Sequence, residues 1–280
     1  MMTPLRPRAF LLVMVSILGW TLPPGASLGE SLGDNPSSTK LPPRERFYLF
    51  LLVGQSNMAG RGKVADQDKQ PIPRVLKLSK GGNWVPAIAP LHFDKPNIVG
   101  VGVGRSFAAQ VAAANPEITV GLIPCAVGGS PIASWEPGGY HASTKTHPWD
   151  DALPRAKLAL KSGTLKGILW HQGESDSKPA LAGVYEEKLH ALITRFRHAL
   201  NEQSVPFIAG QMGQFSERPW DDARKFVDAA HRNLPMQVPH TAFVTSDGLT
   251  HKGDQVHFDA KSYRELGRRY AGAYLDQQRR

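Results

Sequence analysis

The feature that most constrains this chain is an unbroken apolar run, Phe47-Tyr48-Leu49-Phe50-Leu51-Leu52-Val53, that ends on Gly54-Gln55-Ser56-Asn57-Met58-Ala59-Gly60. A strand that is apolar at every position has no face left for water, so the run predicts a parallel sheet covered by helices on both sides. Gly54 can take backbone angles closed to other residues, and a sharp turn there presents the Ser56 hydroxyl at the carboxyl edge of the sheet, where open α/β sheets place their sites. A serine after a strand can equally do no more than cap a helix. Its meaning depends on what the rest of the chain supplies.

After Ser56, short apolar stretches recur at 120–123, 167–171, 207–211 and 241–245, separated by helical patterns at 105–115, 151–162, 180–203, 221–233 and 260–276. Strand alternating with helix and no internal repeat predicts an α/β fold with about five parallel strands and helices on both faces, a flavodoxin-like count. Segments 61–104 and 130–150, rich in Gly, Pro, His and Trp, read as long loops of the kind that build substrate sites.

Residues 1–29 read as a signal peptide: Arg6 and Arg8 precede an apolar stretch over 9–22, and small residues follow it. That stretch is short for a membrane span, and a lipoprotein anchor would need a cysteine after it, whereas the single cysteine is Cys125. The expectation is a secreted or periplasmic protein with no stable membrane association, an uncleaved N-terminal anchor being the alternative. Residues 30–46 read as a flexible lead and 47–280 as one catalytic domain, for which 280 residues with 41% hydrophobic content supply a substantial core. One cysteine forbids an internal disulfide, and Cys125, inside an apolar run, reads as a core residue rather than a nucleophile. The net charge of +9 is scattered, with no block of five or six like charges, so no nucleic-acid partner is expected.

Hydrolysis by a serine needs a base, an orienter for that base and donors for the oxyanion. Near the C-terminus, Asp254-Gln255-Val256-His257-Phe258 puts a carboxylate three residues before an imidazole, within reach of its Nδ1. The Gly128-Gly129 pair follows the second apolar stretch, where backbone N–H groups can face inward with no Cβ in the way. Gln172 ends the third stretch, which directs its amide toward the same crevice, and a neutral donor suits an oxyanion.

These blocks carry a resemblance. Gly-Gln-Ser-Asn-Met at 54–58, Ala-Val-Gly-Gly-Ser at 126–130, Trp-His-Gln-Gly-Glu-Ser-Asp at 170–176 and Asp-x-x-His-Phe at 254–258 occur in the order found in SGNH-type hydrolases of the sialate O-acetylesterase and carbohydrate esterase family 6 group, across 47–275. The resemblance implies the SGNH fold and a secreted serine esterase that removes O-acetyl groups from carbohydrates, of the acetylxylan or sialate type, through an acyl-enzyme. It implies Ser56 as nucleophile, His257 as base, and oxyanion donors from the Ser56 amide, Gly128-Gly129 and the Gln172 side chain. Asp254 is the favoured triad acid, and Glu174 stays open because some members of this branch use a carboxylate at that place. Gln55, Asn57 and Trp135 are candidate substrate contacts, with Trp84 and Trp149 as further stacking candidates, while Trp170, His171 and Ser175 read as packing or loop-fixing residues. No cofactor is implied. Asp247, His251, Asp254 and His257 in one segment have the composition of a metal site, but a metal would leave the serine block without a role.

Two other functions are weighed. An α/β-hydrolase would carry glycine two residues after the serine, where this chain has Met58. A carbohydrate-binding protein with weak catalysis is compatible with the fold, although every catalytic residue type is present. The glycines at 100, 102 and 104 hint at nucleotide binding but lack the full fingerprint and read as a close loop.

Overall fold

Alternate residues of the first strand enter two separate cores. In the computed structural model, which describes residues 41–279, β1 (Phe47–Gly54) directs Phe47, Leu49, Leu51 and Val53 into one core and Phe50 and Leu52 into the other. β1 is therefore buried on both faces. The expected signal segment 1–29 lies outside the described residues, as does 30–40. The end of the lead, read as flexible to residue 46, is structured: Leu41 packs on the core and Arg44–Arg46 form one 3-10 turn.

The remaining strands are β2 (Val75–Leu78), β3 (Trp84–Pro86), β4 (Thr119–Pro124), β5 (Thr164–His171), β6 (Phe207–Gly210) and β7 (Thr241–Val244), and the helices are α1 (Ser56–Ala59), α2 (Asp66–Lys69), α3 (Gly104–Ala114), α4 (Pro148–Ala159), α5 (Pro179–Ala182), α6 (Tyr185–Leu200), α7 (Asp222–Gln237) and α8 (Ala260–Gln278). They form a seven-stranded sheet in the order β3-β2-β4-β1-β5-β6-β7. Every neighbouring pair is parallel except β2 with β3. Helices α4, α6 and α7 pack on one face, and α3 and α8 on the other.

The count of about five strands is thus corrected to seven. The additional pair is an edge hairpin inside 61–104, where Val75-Leu76-Lys77-Leu78 turns through Gly81-Gly82 and returns as β3. Its outer strand β3 is only three residues long, as edge strands often are. The long helical pattern 180–203 is broken at Gly183-Val184 into α5 and α6.

Since β4 and β5 flank β1, the carboxyl ends of these three strands share one crevice at the point where strand order reverses. Ser56 follows β1, Gly128-Gly129 follows β4, Gln172 follows β5, and the loop carrying His257 follows β7.

Candidate active site

Gly54 holds φ at +126°, and a Cβ there would lie 2.2 Å from the His171 carbonyl oxygen, so only glycine lets the chain turn against β5. The turn leads directly into α1, whose first residue is Ser56. From the opposite side, the loop after β7 is closed by Asp259, which caps α8 through the Ser262 N–H (2.7 Å) and accepts from the Thr250 hydroxyl (2.5 Å). Phe258, fully buried, anchors it.

Across this gap His257 Nε2 stands 3.0 Å from Ser56 Oγ, and His257 Nδ1 stands 2.7 Å from Asp254 Oδ2. Asp254 Oδ1 accepts the backbone N–H groups of His257 (2.8 Å) and Val256 (3.1 Å), and Lys252 Nζ is 3.1 Å from Oδ2. Partial burial works to raise the Asp254 pKa, but these hydrogen bonds, led by the two from His257, outweigh it and hold the carboxyl far below its usual range. An ionised carboxylate on Nδ1 fixes the tautomer in which Nε2 can accept the serine proton.

Glu174 is placed elsewhere. Its Oε1 accepts from Asn57 Nδ2 at 2.6 Å, and Oε2 is buried without a partner. Burial raises the Glu174 pKa, with the Asn57 hydrogen bond as the main opposing influence. In this structure the carboxylate on His257 is Asp254.

Asn57, a candidate substrate contact, is fully buried. Its Nδ2 also donates to the Val256 carbonyl (3.0 Å), and its Oδ1 accepts from the Tyr263 hydroxyl (2.6 Å) and the Phe258 N–H (3.4 Å). It ties the serine helix to the histidine loop instead of facing solvent. Trp135 is corrected likewise: it is fully buried, donates to Ser130 Oγ and stacks edge-on against Trp170. Trp149 sits in the core, and Trp84 packs against Phe47.

The oxyanion donors are also rearranged. Gln172 has no exposed surface. Its Nε2 faces the Ser130 carbonyl (3.2 Å), Gln55 Oε1 (3.1 Å) and Asp176 Oδ2 (2.5 Å), and its Oε1 accepts from the Tyr185 hydroxyl (2.8 Å). Both amide hydrogens are committed inside the protein. The Gly128 N–H is taken by Asp94 Oδ2 at 2.8 Å, and Asp94 is in turn paired with buried Arg61 at 2.7 Å. A Cβ at position 128 would meet Arg61 Nη2 at 2.2 Å, which explains the glycine. Among the described residues, the N–H groups of Ser56 and Gly129 have no protein acceptor, and both residues line the crevice.

Gln55 lines it too. Its Oε1 accepts the Ser175 N–H (3.2 Å) as well as Gln172 Nε2. A backbone N–H can only donate, so the Gln55 amide cannot be flipped, and Nε2 is left without a protein acceptor among the described residues. Four cations also line it: Arg61, which is paired with Asp94, and Lys95, Arg218 and Arg224.

His251 is built into the loop, its Nδ1 accepting the N–H groups of Gly253 (2.9 Å) and Gln255 (3.3 Å). Among the described residues, no three His, Cys, Asp or Glu side chains are grouped to hold a metal ion. Cys125 is buried, and burial pushes its thiol up to about 11. His171 is buried against Tyr270 and pushed down to about 3. Ser175 Oγ donates to the Gly129 carbonyl (2.9 Å), linking the loops after β5 and β4. The Arg61–Asp94 and Tyr263–Asn57 contacts carry no local sequence signature, because their partners lie 33 and 206 residues apart in the chain.

A family model described as carbohydrate esterase, sialic acid-specific acetylesterase, matches residues 46–276. A probable carbohydrate esterase of Arabidopsis thaliana is 31% identical over 264 residues, covering 86% of this chain and 95% of the plant protein. The crystal structure of that Arabidopsis protein is similar with a TM-score of 0.73, over 84% of this chain and 99% of the other. NanS, 19% identical, has a TM-score of 0.68 over 85% of this chain and 99% of its own. A carbohydrate acetylesterase from Xanthomonas citri, 20% identical, has a TM-score of 0.58 over 81% of this chain and 55% of its own. At those two identities the likeness is one of fold.

Proposed function

Because the chain belongs to the carbohydrate esterase family of sialic acid-specific acetylesterases, and is thus a carbohydrate O-acetylesterase, we propose that it cleaves O-acetyl groups by a serine mechanism with Ser56, His257 and Asp254. The observation that carries this is the continuous line from Asp254 Oδ2 through His257 to Ser56 Oγ, at 2.7 and 3.0 Å.

In the first half-reaction Ser56 Oγ attacks the acetyl carbonyl carbon while its proton passes to His257 Nε2. The carbonyl oxygen, now negative, is received by the N–H groups of Ser56 and Gly129 and by Gln55 Nε2. Asp254 stabilises the imidazolium. The tetrahedral intermediate collapses when the C–O bond to the sugar breaks and His257 returns the proton to the departing hydroxyl. Water then attacks the acetyl-enzyme, its proton again taken by His257, and acetate leaves as Ser56 Oγ regains a proton.

Lys95, Arg218 and Arg224 line the crevice and make no ion pair among the described residues. A positive crevice raises the local concentration of anions, which supports an acetylated sugar bearing a carboxylate.

Ser56→Ala is the direct test. Loss of about 10⁴ or more in turnover on acetyl esters, with an unchanged melting curve and with phosphonate labelling of the native enzyme at Ser56, is the expected result. Activity above about 1% of wild type would remove the serine mechanism.

Export remains a proposal of the sequence, resting on Arg6, Arg8 and the apolar stretch that follows. N-terminal sequencing of exported protein should find a start between about residues 26 and 31. An intact Met1 in a membrane fraction would favour an anchor.

A further inference from the structure

The loop that carries His257 has its neck closed by backbone hydrogen bonds, from the Asp259 N–H to the Thr250 carbonyl (3.0 Å) and from the Lys252 N–H to the His257 carbonyl (2.9 Å), and His251 is bridged to Phe258. Inside that neck the N–H groups go to side chains. Asp254 Oδ1 takes those of Val256 and His257, at 3.1 and 2.8 Å. His251 Nδ1 takes those of Gly253 and Gln255, the residues on either side of Asp254, at 2.9 and 3.3 Å.

Both flanking residues have left-handed backbone angles, with φ of +114° at Gly253 and +57° at Gln255. A residue other than glycine keeps such a conformation only where its surroundings enforce it. At Gln255 the bond to His251 does so. Because a backbone N–H can only donate, Nδ1 is the acceptor and the ring carries its proton on Nε2. Nε2 faces Glu217 Oε1 at 3.3 Å, on the loop after β6, and the ring lies edge-on to Phe215 of the same loop, with centroids 5.0 Å apart. Two contacts from a neighbouring loop fix the imidazole, and the imidazole fixes the turn around Asp254.

This arrangement is continuous with the reacting groups. Asp254 stands 2.7 Å from His257 Nδ1, and His257 stands 3.0 Å from Ser56 Oγ. The bonds from Asp254 to residues 256 and 257 fix the histidine relative to the acid. Those from His251 fix the acid relative to the rest of the loop. Displacement of such a group by about 1 Å is enough to cost about 10²-fold in rate.

We propose that His251 is a positioning residue for the triad acid, its Nδ1 holding the turn at 253–255 so that Asp254 meets His257. The effect on rate rests on the serine mechanism above. The hold on Asp254 does not.

Two substitutions separate the acceptor from the packing. His251→Phe keeps a ring against Phe215 and removes the acceptor. His251→Asn gives up the ring and keeps an acceptor, Oδ1, at the same number of bonds from Cβ. On para-nitrophenyl acetate, kcat should fall by about 10- to 100-fold in His251→Phe with KM within about twofold, and stay within about threefold of wild type in His251→Asn. The low-field proton NMR signal of His257 Nδ1–H should weaken in the first variant and persist in the second. A role in packing alone gives the reverse ranking. His251→Leu takes the place of His251→Phe should that variant melt early. A folded His251→Phe or His251→Leu with wild-type kcat, or a folded His251→Asn as slow as either, overturns the proposal. Absence of Ser56-dependent hydrolysis in wild type would instead defeat the serine mechanism. The proton signal would then decide His251, since a signal unchanged across the variants overturns its hold on Asp254.

Discussion

Glu174 and Asn57 are joined by a 2.6 Å hydrogen bond, and this single contact removes Glu174 from the histidine and makes it a support for the serine helix. Asp254 is left as the carboxylate on His257. Asp254→Asn should therefore lower kcat by up to about 10⁴ with little change in KM, since the amide no longer fixes the tautomer or stabilises the imidazolium. Glu174→Gln, which keeps an oxygen for Asn57, should lose about tenfold or less. The reverse ranking in steady-state kinetics would hand the role to Glu174.

The same glutamate should leave a mark on stability. Its folded-state pKa is raised above the ordinary 4.5, chiefly by burial. A raised carboxyl pKa gives a contribution that is fully present below the unfolded value and is lost as pH rises through the folded one. Melting temperatures of wild type should thus decline against those of Glu174→Gln as pH increases from 4.5 toward neutrality. Two parallel curves over that range would show that Glu174 ionises in the fold as it does in the unfolded chain.

The two hydrogen-bonded glutamines, Gln55 lining the crevice and Gln172 buried behind it, should fail in different ways. Gln55→Glu keeps the acceptor for Ser175 and Gln172 but removes the Nε2 donor and adds negative charge where the oxyanion forms, so kcat should fall by about 10²–10³. Gln172→Ala should instead lower the melting temperature markedly, because Asp176, the Ser130 carbonyl and Tyr185 each lose a buried partner, at about 1–3 kcal/mol apiece. A stable Gln172→Ala protein whose only defect is kcat would restore Gln172 as an oxyanion donor.

What the sequence disclosed here is what periodicity and local spacing can carry. An all-apolar β1 has only one environment available to it, and Asp254 reaches His257 within one short loop, so the five strands β1, β4, β5, β6 and β7 and the Asp254–His257 contact were readable. The end of a strand reveals which sheet edge a residue occupies but not its rotamer, so Gln172 was assigned to the crevice although its amide is spent on Asp176 and Ser130. Trp135 lies among Gly and Pro and reads as a loop residue, while its burial depends on Trp170, which is distant in sequence. The hairpin of β2 and β3 did leave a signal, Ser79-Lys80-Gly81-Gly82-Asn83 between two short apolar runs, which the wider Gly and Pro content of the segment obscured. The Arg61–Asp94 pair spans 33 residues and has no local signature at all.

Arg218 is exposed on the loop after β6, lines the crevice, and has no carboxylate partner among the described residues. Removing its charge should therefore leave the fold and the chemistry at Ser56 alone. For acetylated sugars that carry a carboxylate, Arg218→Gln should raise KM by about three- to tenfold with kcat held, and the KM of wild type should itself rise with salt because exposed charges are screened over about 10 Å at 0.1 M. For neutral acetylated sugars both effects should vanish. The comparison works within one protein: a variant that weakens both substrate classes alike has disturbed the crevice shape, and one that weakens neither shows that the cations do not meet the substrate. Only a selective loss on the acidic sugars, reproduced by salt, assigns Arg218 to recognition of a carboxylate.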